Sequence, residues 1–365
     1  MSHTYLEEDL LAKKSLDIIL KFQSPAGSYV ASPNFEQYNY GWLRDGSFCA
    51  LAMFRSGQID SAQKFNSWVF RTLARHSDSF EETCSRLMAG LPVSPDKAPP
   101  TRFHLDGSVE LDHHEVWPNY QLDGYGTWLA ILEQTQNAFT IFEIETVRLV
   151  ADFLALAWKG PCYDCWEEGG ELVHGSTLLA VSGGLRAAGN ILKNSRYLEV
   201  HREITQHIES NFVINGSLVK HRGESLVDAS LMWAALPHHA IDIHSPILQS
   251  TINRIFSELR GPSGGVYRYL GDTYYGGGHW VLLEGFFAWN AAALGDKKLW
   301  DESRAWIAAI ADKEHQLPEQ ILTDVQTPSM IQEWVDRWGP AADPLLWSHA
   351  MYLLVLNEGA IQGWI

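Results

Sequence analysis

The sequence predicts an all-α fold, a double-layered (α/α)6 barrel (toroid) with six inner and six outer helices. Charged and nearly uncharged helical segments alternate along the 365 residues, each with the periodicity of an α-helix. A helix that is apolar all round must be buried, whereas a half-polar helix faces solvent, so this alternation indicates one layer of helices inside another. Long connections precede the apolar segments and mostly short ones follow them, which in a toroid gathers the long loops on one face.

The twelve predicted segments form six pairs of one charged and one apolar helix. The charged, outer segments are 5–23, 60–77, 140–158, 195–210, 246–259 and 297–313. The apolar, inner segments are 46–56, 124–136, 176–190, 226–236, 280–294 and 345–356.

Local signals support individual segments. Thr4 and Glu7 have the spacing of a capping box at the start of the first outer helix. Residues 47–54 contain no charge, which favours a buried helix. Ser245 and Pro246 provide an N-cap and a favoured first helical residue for the fourth outer helix.

We expect residues 1–365 to form a single domain, because no linker rich in Pro, Gly or Ser interrupts the alternation. A solenoid is the alternative for so many helices, but no consensus recurs at a fixed period. The hydrophobic content of 46% is sufficient for one large core without a metal or disulfide.

The net charge of −17 argues against nucleic acid and anionic membranes as partners, because both would repel this chain. No basic segment followed by an apolar stretch marks the N-terminus, and no run of about 18 uncharged apolar residues is present. These observations predict a cytoplasmic protein.

The four cysteines are too few for a disulfide scaffold. Cys162 and Cys165 have the spacing of half a zinc site, but no second pair of this kind occurs. We therefore expect reduced, packed thiols and no metal site.

The long connections contain aromatic side chains, carboxylates and two arginines, and the chain has 15 tryptophans in total. Aromatic rings stack on the apolar faces of sugars, and charged side chains bind hydroxyl groups through paired hydrogen bonds. Two carboxylates from different loops are what hydrolysis of a glycosidic bond requires. The stretches that carry these residues are 38–45, 117–123, 166–170, 268–280 and 317–320.

These stretches resemble the motifs of glycoside hydrolase family 15, the glucoamylases and their relatives, and they occur in order before successive inner helices. The resemblance implies that Glu167, the first Glu after Trp166, is the general acid. It implies that Glu319, which precedes Gln320, is the general base. Glu333 is a rival for the second role, although no Gln follows it.

The resemblance also implies which residues bind the substrate. Arg44 and Asp45 are similar to the pair that holds the distal hydroxyls of the non-reducing glucose, and Tyr38 resembles the tyrosine that helps to hold the attacking water. The implied substrate-binding residues are Tyr38, Trp42, Arg44, Asp45, Trp117, Glu168, Arg268, Tyr274 and Trp280.

The function implied by the resemblance is that of an inverting, exo-acting α-glucoside hydrolase that needs no cofactor. The partner is then a small carbohydrate. The apparent lack of a signal peptide and of a starch-binding module favours short α-gluco-oligosaccharides, isomaltose above all, with maltose and trehalose left open. The alternative is a non-catalytic, sugar-binding glucoamylase-like domain, and a helical-toroid epimerase would instead need paired catalytic histidines. The oligomeric state stays open.

Overall fold

The computed structural model describes residues 9–94, 97–109, 117 and 119–365. The described part contains thirteen α-helices, three short 3-10 helices and three two-stranded antiparallel sheets. The helices are α1 (Leu10–Lys21), α2 (Leu43–Arg55), α3 (Ile59–Arg75), α4 (Ser77–Met88), α5 (Asp123–Thr135), α6 (Ile141–Ala157), α7 (Gly175–Leu192), α8 (Ser195–Asn211), α9 (Pro246–Glu258), α10 (Val281–Ala293), α11 (Lys297–Ile310), α12 (Met330–Trp338) and α13 (Leu346–Ile361). The 3-10 helices span Glu36–Tyr38, Ala229–Ala234 and Tyr274–Gly276. The strands are β1 (Gly41–Trp42), β2 (Arg102–Phe103), β3 (Val213–Ile214), β4 (Ser217–Leu218), β5 (His279–Trp280) and β6 (Gln320–Ile321), paired as β1–β2, β3–β4 and β5–β6.

Six buried elements form a closed inner ring. In chain order they are α2, α5, α7, the 3-10 helix Ala229–Ala234, α10 and α13, and each contacts the next while α13 returns to α2. α13 is buried at every residue from Leu346 to Gly359, as expected for a helix without a solvent face. The predicted (α/α)6 barrel is confirmed.

The outer helices bury one stripe each. In α8 only Tyr197, Ile204 and Ile208 are buried, and their spacing places them on one helical face. α6 begins with a capping box in which Thr140 and Glu143 satisfy each other's backbone N–H groups. This outer layer therefore owes its position to apolar stripes and local caps.

The first and last described helices, α1 and α13, pack together and so connect the outer layer to the inner ring. Ser15 of α1 is hydrogen-bonded to Nδ1 of His349 in α13 at 2.9 Å. The Tyr352 hydroxyl of α13 donates to Asp9, the N-cap of α1, also at 2.9 Å. The single domain of residues 1–365 stays a prediction.

The structure corrects three details of the predicted arrangement. The inner segment 226–236 is the 3-10 helix Ala229–Ala234 rather than an α-helix, since Asp228 caps it and Pro237 disfavours helical backbone just before itself. α4 and α12 lie in segments predicted as connections. Their amphipathic sequences form helices because each has apolar neighbours to pack against.

The Thr4 and Glu7 capping box lies outside the described residues, and the described part of α1 begins at Leu10. Within the described ranges, no helix is long and apolar enough to cross a bilayer. All four cysteines are free thiols, as predicted.

Candidate active site

A cavity of about 480 Å³ opens at the end of the ring where α2, α10 and α13 begin. Five of the six long connections contribute to its wall. The exception is 211–225, the long connection between the predicted segments 195–210 and 226–236, which was expected on the same face but does not line the cavity. All eleven predicted site residues line it: Tyr38, Trp42, Arg44, Asp45, Trp117, Glu167, Glu168, Arg268, Tyr274, Trp280 and Glu319. Their individual roles stay predictions.

Glu167 lies in a tight turn with a backbone φ of +67°, a left-handed conformation that is uncommon for a non-glycine residue. Its Oε1 accepts hydrogen bonds from the Trp42 indole at 2.8 Å and from the Gln121 amide at 2.9 Å. Because both donors bind the same oxygen, they leave Oε2 as the atom suited to carry a proton.

Glu319 is 1% exposed and its Oε2 has no hydrogen-bond partner within the described part of the chain. Burial raises the pKa of Glu319 to about 8, while the neighbouring Tyr38 and Gln320 side chains and the charge of Arg268 oppose this rise. Glu319 directly precedes β6, in which Gln320 pairs with Trp280 of β5, and its backbone carbonyl accepts the Val281 N–H at 3.1 Å. Glu319 can therefore exchange a proton near neutral pH.

Two tyrosines lie beside this carboxyl group. The Tyr38 and Tyr274 hydroxyls lie 2.9 Å apart, and burial together with the nearby Glu319 raises the pKa of both phenols. A phenol has one proton, so Tyr274 donates to Tyr38 when Tyr38 donates to Glu319. This chain of groups provides fixed polar atoms next to the base candidate.

Arg44 and Asp45 present polar atoms to the cavity. Arg44 Nη1 donates to Asp123 at 3.0 Å and to Gln121 at 3.1 Å, which fixes the guanidinium. Its Nε lies 3.5 Å from Oδ2 of Asp45, and within the described structure neither atom has a hydrogen-bond partner. Burial raises the pKa of Asp45 to about 6, although the Arg44 charge lowers it. Such a pair can receive two hydroxyl groups of a sugar.

Arg268 is held on several sides. Its Nε and Nη2 donate to the two oxygens of Asp272 at 2.7 and 2.5 Å, and Nη2 also donates to Glu168 at 3.1 Å. The guanidinium faces the rings of Trp166 and Trp280 at 5.3 and 5.2 Å. Arg268 thus keeps the partly exposed Glu168 at the rim of the cavity.

α12 forms a wall that the sequence reasoning missed. Its residues Trp334, Arg337 and Trp338 line the cavity. Trp338 stacks on Trp117 with ring centroids 6.2 Å apart, and the Arg337 guanidinium lies 4.8 Å from the Trp338 ring. Two tryptophans four residues apart were the available signal, because that spacing places them on one helical face.

The rival base candidate Glu333 is exposed on α12 and does not line the cavity. Trp166, Thr273 and Trp347 also line the cavity without having been predicted as site residues. Gln121 and Asp123 act behind the wall, and both lie in the stretch 117–123 that the sequence had singled out.

Comparison with known proteins places the chain in a defined group. The family model described as glycosyl hydrolases family 15 matches residues 7–357. The chain is 37% identical over 368 residues to an isomaltose glucohydrolase of Kribbella flavida, with 98% of this chain and 94% of the relative covered.

Two solved structures illustrate the similarity in three dimensions. A glycosidase variant in complex with glucose superposes with a TM-score of 0.92 at 35% identity, covering 100% of this chain and 99% of the other. A glucoamylase from Saccharomycopsis fibuligera has a TM-score of 0.75 at 13% identity, covering 100% and 97%, and shows the shared fold.

Proposed function

The chain belongs to glycosyl hydrolase family 15 and is a glycosidase, and on that premise we propose that it is an inverting, exo-acting α-glucoside hydrolase. It releases β-glucose from the non-reducing end of short α-gluco-oligosaccharides, with isomaltose favoured. One observation carries this proposal: Glu167 and Glu319 line the same cavity in different environments. With two such carboxyl groups, one can act as the general acid and the other as the general base.

In the proposed reaction, Glu167 donates its proton from Oε2 to the glycosidic oxygen while the bond from that oxygen to C1 of glucose breaks. Glu319 accepts a proton from a water molecule whose oxygen forms the new bond to C1. Tyr38 and Tyr274 hold this water beside Glu319 through their linked hydroxyls. Attack from the face opposite the leaving group converts an α-bond into β-glucose.

The proposed exo action rests on the inner end of the cavity. There Arg44 Nε and Asp45 Oδ2 lie 3.5 Å apart without a hydrogen-bond partner among the described residues, and the Arg44 guanidinium lies 5.8 Å from the Trp347 ring. A terminal glucose can satisfy both atoms with neighbouring hydroxyls, and because Arg44 is buried we expect no space for a continuing chain beyond it. We therefore expect single glucose units to be removed.

The preference for a short substrate rests on the outer end. We place the leaving sugar beside Trp334, Arg337 and Trp338, which line the cavity, and the cavity volume of about 480 Å³ suits a short oligosaccharide. Isomaltose is favoured because the 37% identical relative named isomaltose glucohydrolase aligns over nearly its whole length. Maltose and trehalose remain competing substrates.

A panel of substrates tests this proposal. We expect kcat/KM for isomaltose, read as released glucose, to exceed that for maltose, trehalose and soluble starch. A preference for starch of about tenfold, equivalent to about 1.4 kcal/mol of transition-state binding, would contradict the short-substrate proposal. Preference for trehalose or maltose would instead reassign the linkage and leave the hydrolase proposal intact.

A further inference from the structure

We propose that Lys220 is a positioning residue for the acid loop, residues 164–168. Its ammonium group links the carboxylates of Asp164 and Asp228 behind the loop, and these in turn fix Glu167 in the orientation that proton transfer requires. This inference rests on the proposed role of Glu167 as the general acid. It gives a function to the one long connection that does not line the cavity.

Lys220 is 6% exposed, and its ammonium group is surrounded by anionic groups. Nζ lies 2.9 Å from Oδ2 of Asp228, 3.5 Å from Oδ2 of Asp164 and 3.9 Å from Oε2 of Glu168. It also lies 3.4 Å from the centroid of the Tyr269 ring. A lysine in such a place is a fixed counter-charge rather than a solvated surface group.

The two linked carboxylates hold the acid loop from both sides. Oδ1 of Asp164 accepts the backbone N–H groups of Trp166 at 2.9 Å and of Glu168 at 3.0 Å, the residues directly before and after Glu167. Both oxygens of Asp228 accept the Trp166 indole N–H at 3.1 Å. The backbone on each side of the acid candidate therefore depends on carboxylates that Lys220 contacts.

The conformation of Glu167 explains why this support matters. A non-glycine residue at a φ of +67° is less stable than in ordinary conformations, and it persists only where neighbouring structure determines it. The Asp164 carboxylate stabilises this conformation of Glu167. It accepts the neighbouring backbone N–H groups, which in a regular helix or strand would bond to backbone carbonyl groups. Rotation of Glu167 out of this turn would move its proton away from the cavity.

The charges of the group explain why a cation is required. Asp164 and Asp228 each have side chains 2% exposed, so neither carboxylate is stabilised by bulk water. Burial disfavours the Lys220 ammonium, but Asp228, Asp164 and Glu168 outweigh burial and raise the Lys220 pKa. Of the other nearby groups, His174 Nδ1 lies 3.8 Å from Asp164, and Arg268 is bound to Glu168 and Asp272.

The test compares two substrates with different demands on the acid. Isomaltose has a poor leaving group that must be protonated, whereas fluoride leaves α-glucosyl fluoride with much less assistance. We expect Lys220→Met to lower kcat/KM for isomaltose by about 10²-fold, within the range of general acid assistance, and for α-glucosyl fluoride by less than about tenfold. A merely structural defect would lower both values equally.

Three further variants make the comparison interpretable. Lys220→Arg keeps the positive charge and is expected to recover most of the isomaltose activity. Lys159→Met breaks an exposed pair with Glu203 at 2.7 Å and is expected to match the wild type. Glu167→Gln measures the selective loss produced by removing the proposed proton donor itself.

An equal loss on both substrates for Lys220→Met, with a selective loss for Glu167→Gln, would overturn the role of Lys220 alone. No selective loss for Glu167→Gln would overturn the acid assignment and this inference with it. If circular dichroism shows Lys220→Met to be unfolded, Asp228→Asn replaces it, since Lys220 then retains Asp164 as a partner. The same selective loss is expected there, and an equal loss would again overturn the inference.

Discussion

The indole N–H of Trp42 donates a 2.8 Å hydrogen bond to Oε1 of Glu167, the oxygen that the Gln121 amide also contacts. A carboxyl group with two donors on one oxygen has its proton directed to the other oxygen. This hydrogen bond joins the start of the first inner helix to the loop before the third inner helix. It leads directly to the first prediction.

Glu167→Gln is expected to lower kcat/KM for isomaltose by about 10²–10⁴-fold, because the amide has no proton to give. The amide oxygen can still accept the bonds from Trp42 and Gln121, so the melting temperature and binding of isomaltose are expected to stay close to wild type. Steady-state kinetics, circular dichroism and calorimetry check these points. Retention of more than about a tenth of the activity contradicts the assignment.

Glu319 and Glu333 are separated by a matched pair of variants. Glu319→Gln is expected to abolish turnover, since an amide cannot accept a proton from water, whereas Glu333→Gln is expected to leave kcat/KM unchanged. The physical reason is the placement of Glu333 on the exposed side of α12. The reverse pattern of glucose release would transfer the role of base to Glu333.

The pH dependence of the free enzyme follows from the raised pKa of Glu319. A base works in its deprotonated form, so a pKa of about 8 means that the active form is lost as the pH falls below that value. We expect kcat/KM for isomaltose to decline on the acidic side with an apparent pKa well above the usual value of 4.5 for a glutamate. A profile that stays flat down to pH 5 would contradict this interpretation.

Ionisation of Glu319 is expected to affect stability and activity in opposite directions as the pH rises. The folded-state pKa of Glu319 lies above its unfolded value, so the native protein binds the proton more tightly and loses stability as the pH rises from about 4.5 to about 8. Glu319→Gln carries no ionisable group, and its free energy of unfolding relative to wild type is expected to increase over this range. Urea unfolding at pH 5 and pH 8 measures the difference. A difference that does not change with pH would argue against a buried, proton-binding carboxyl group.

The stereochemical outcome is a separate prediction. If water attacks on the face opposite the leaving group, the first product of an α-linked substrate is β-glucose. Proton NMR of a fresh reaction mixture distinguishes the anomers before mutarotation equilibrates them. Initial α-glucose would show retention and remove Glu319 from the role of base that activates water.

The wall formed by α12 is predicted to act on the leaving sugar. Trp338→Ala removes the ring that stacks on Trp117, and we expect it to raise KM for isomaltose more than it lowers kcat. The control is Asp336→Asn, which changes an exposed residue of the same helix that does not line the cavity. Equal KM values for Trp338→Ala and wild type would show that the leaving sugar binds elsewhere.

Much of the layered fold was predictable because buried helices are recognisable by their apolar, nearly uncharged sequences. The helix α13 is surrounded by other helices and carries one charged residue, Glu358, which is paired with Arg55, and its start agrees with the predicted one within a residue. The 3-10 helix Ala229–Ala234 was not distinguishable from an α-helix, because both are equally apolar when buried. α4 and α12 were missed because their polar faces resemble connecting segments.

Site residues could be predicted where the reaction requires a particular type of residue. They could not be predicted where a residue matters only through its position in the folded chain. Glu167 and Glu319 belong to short motifs with recognisable neighbours, and the structure brings them to one cavity. Lys220 has no motif, because any segment long enough to deliver an ammonium group behind the acid loop would serve equally well. Its importance follows only from the carboxylates of Asp164, Glu168 and Asp228, which come from two separate segments and lie close to its ammonium group in space.

The contact between α2 and α13 has a consequence for the order in which the chain acquires its structure. During synthesis, α2 emerges long before its neighbour α13, so one side of α2 lacks its partner until α13 has also left the ribosome. Contacts between such distant segments slow folding, since a large loop must close before they form. Enzyme activity should then be the last property to emerge in refolding, after helical circular dichroism has recovered.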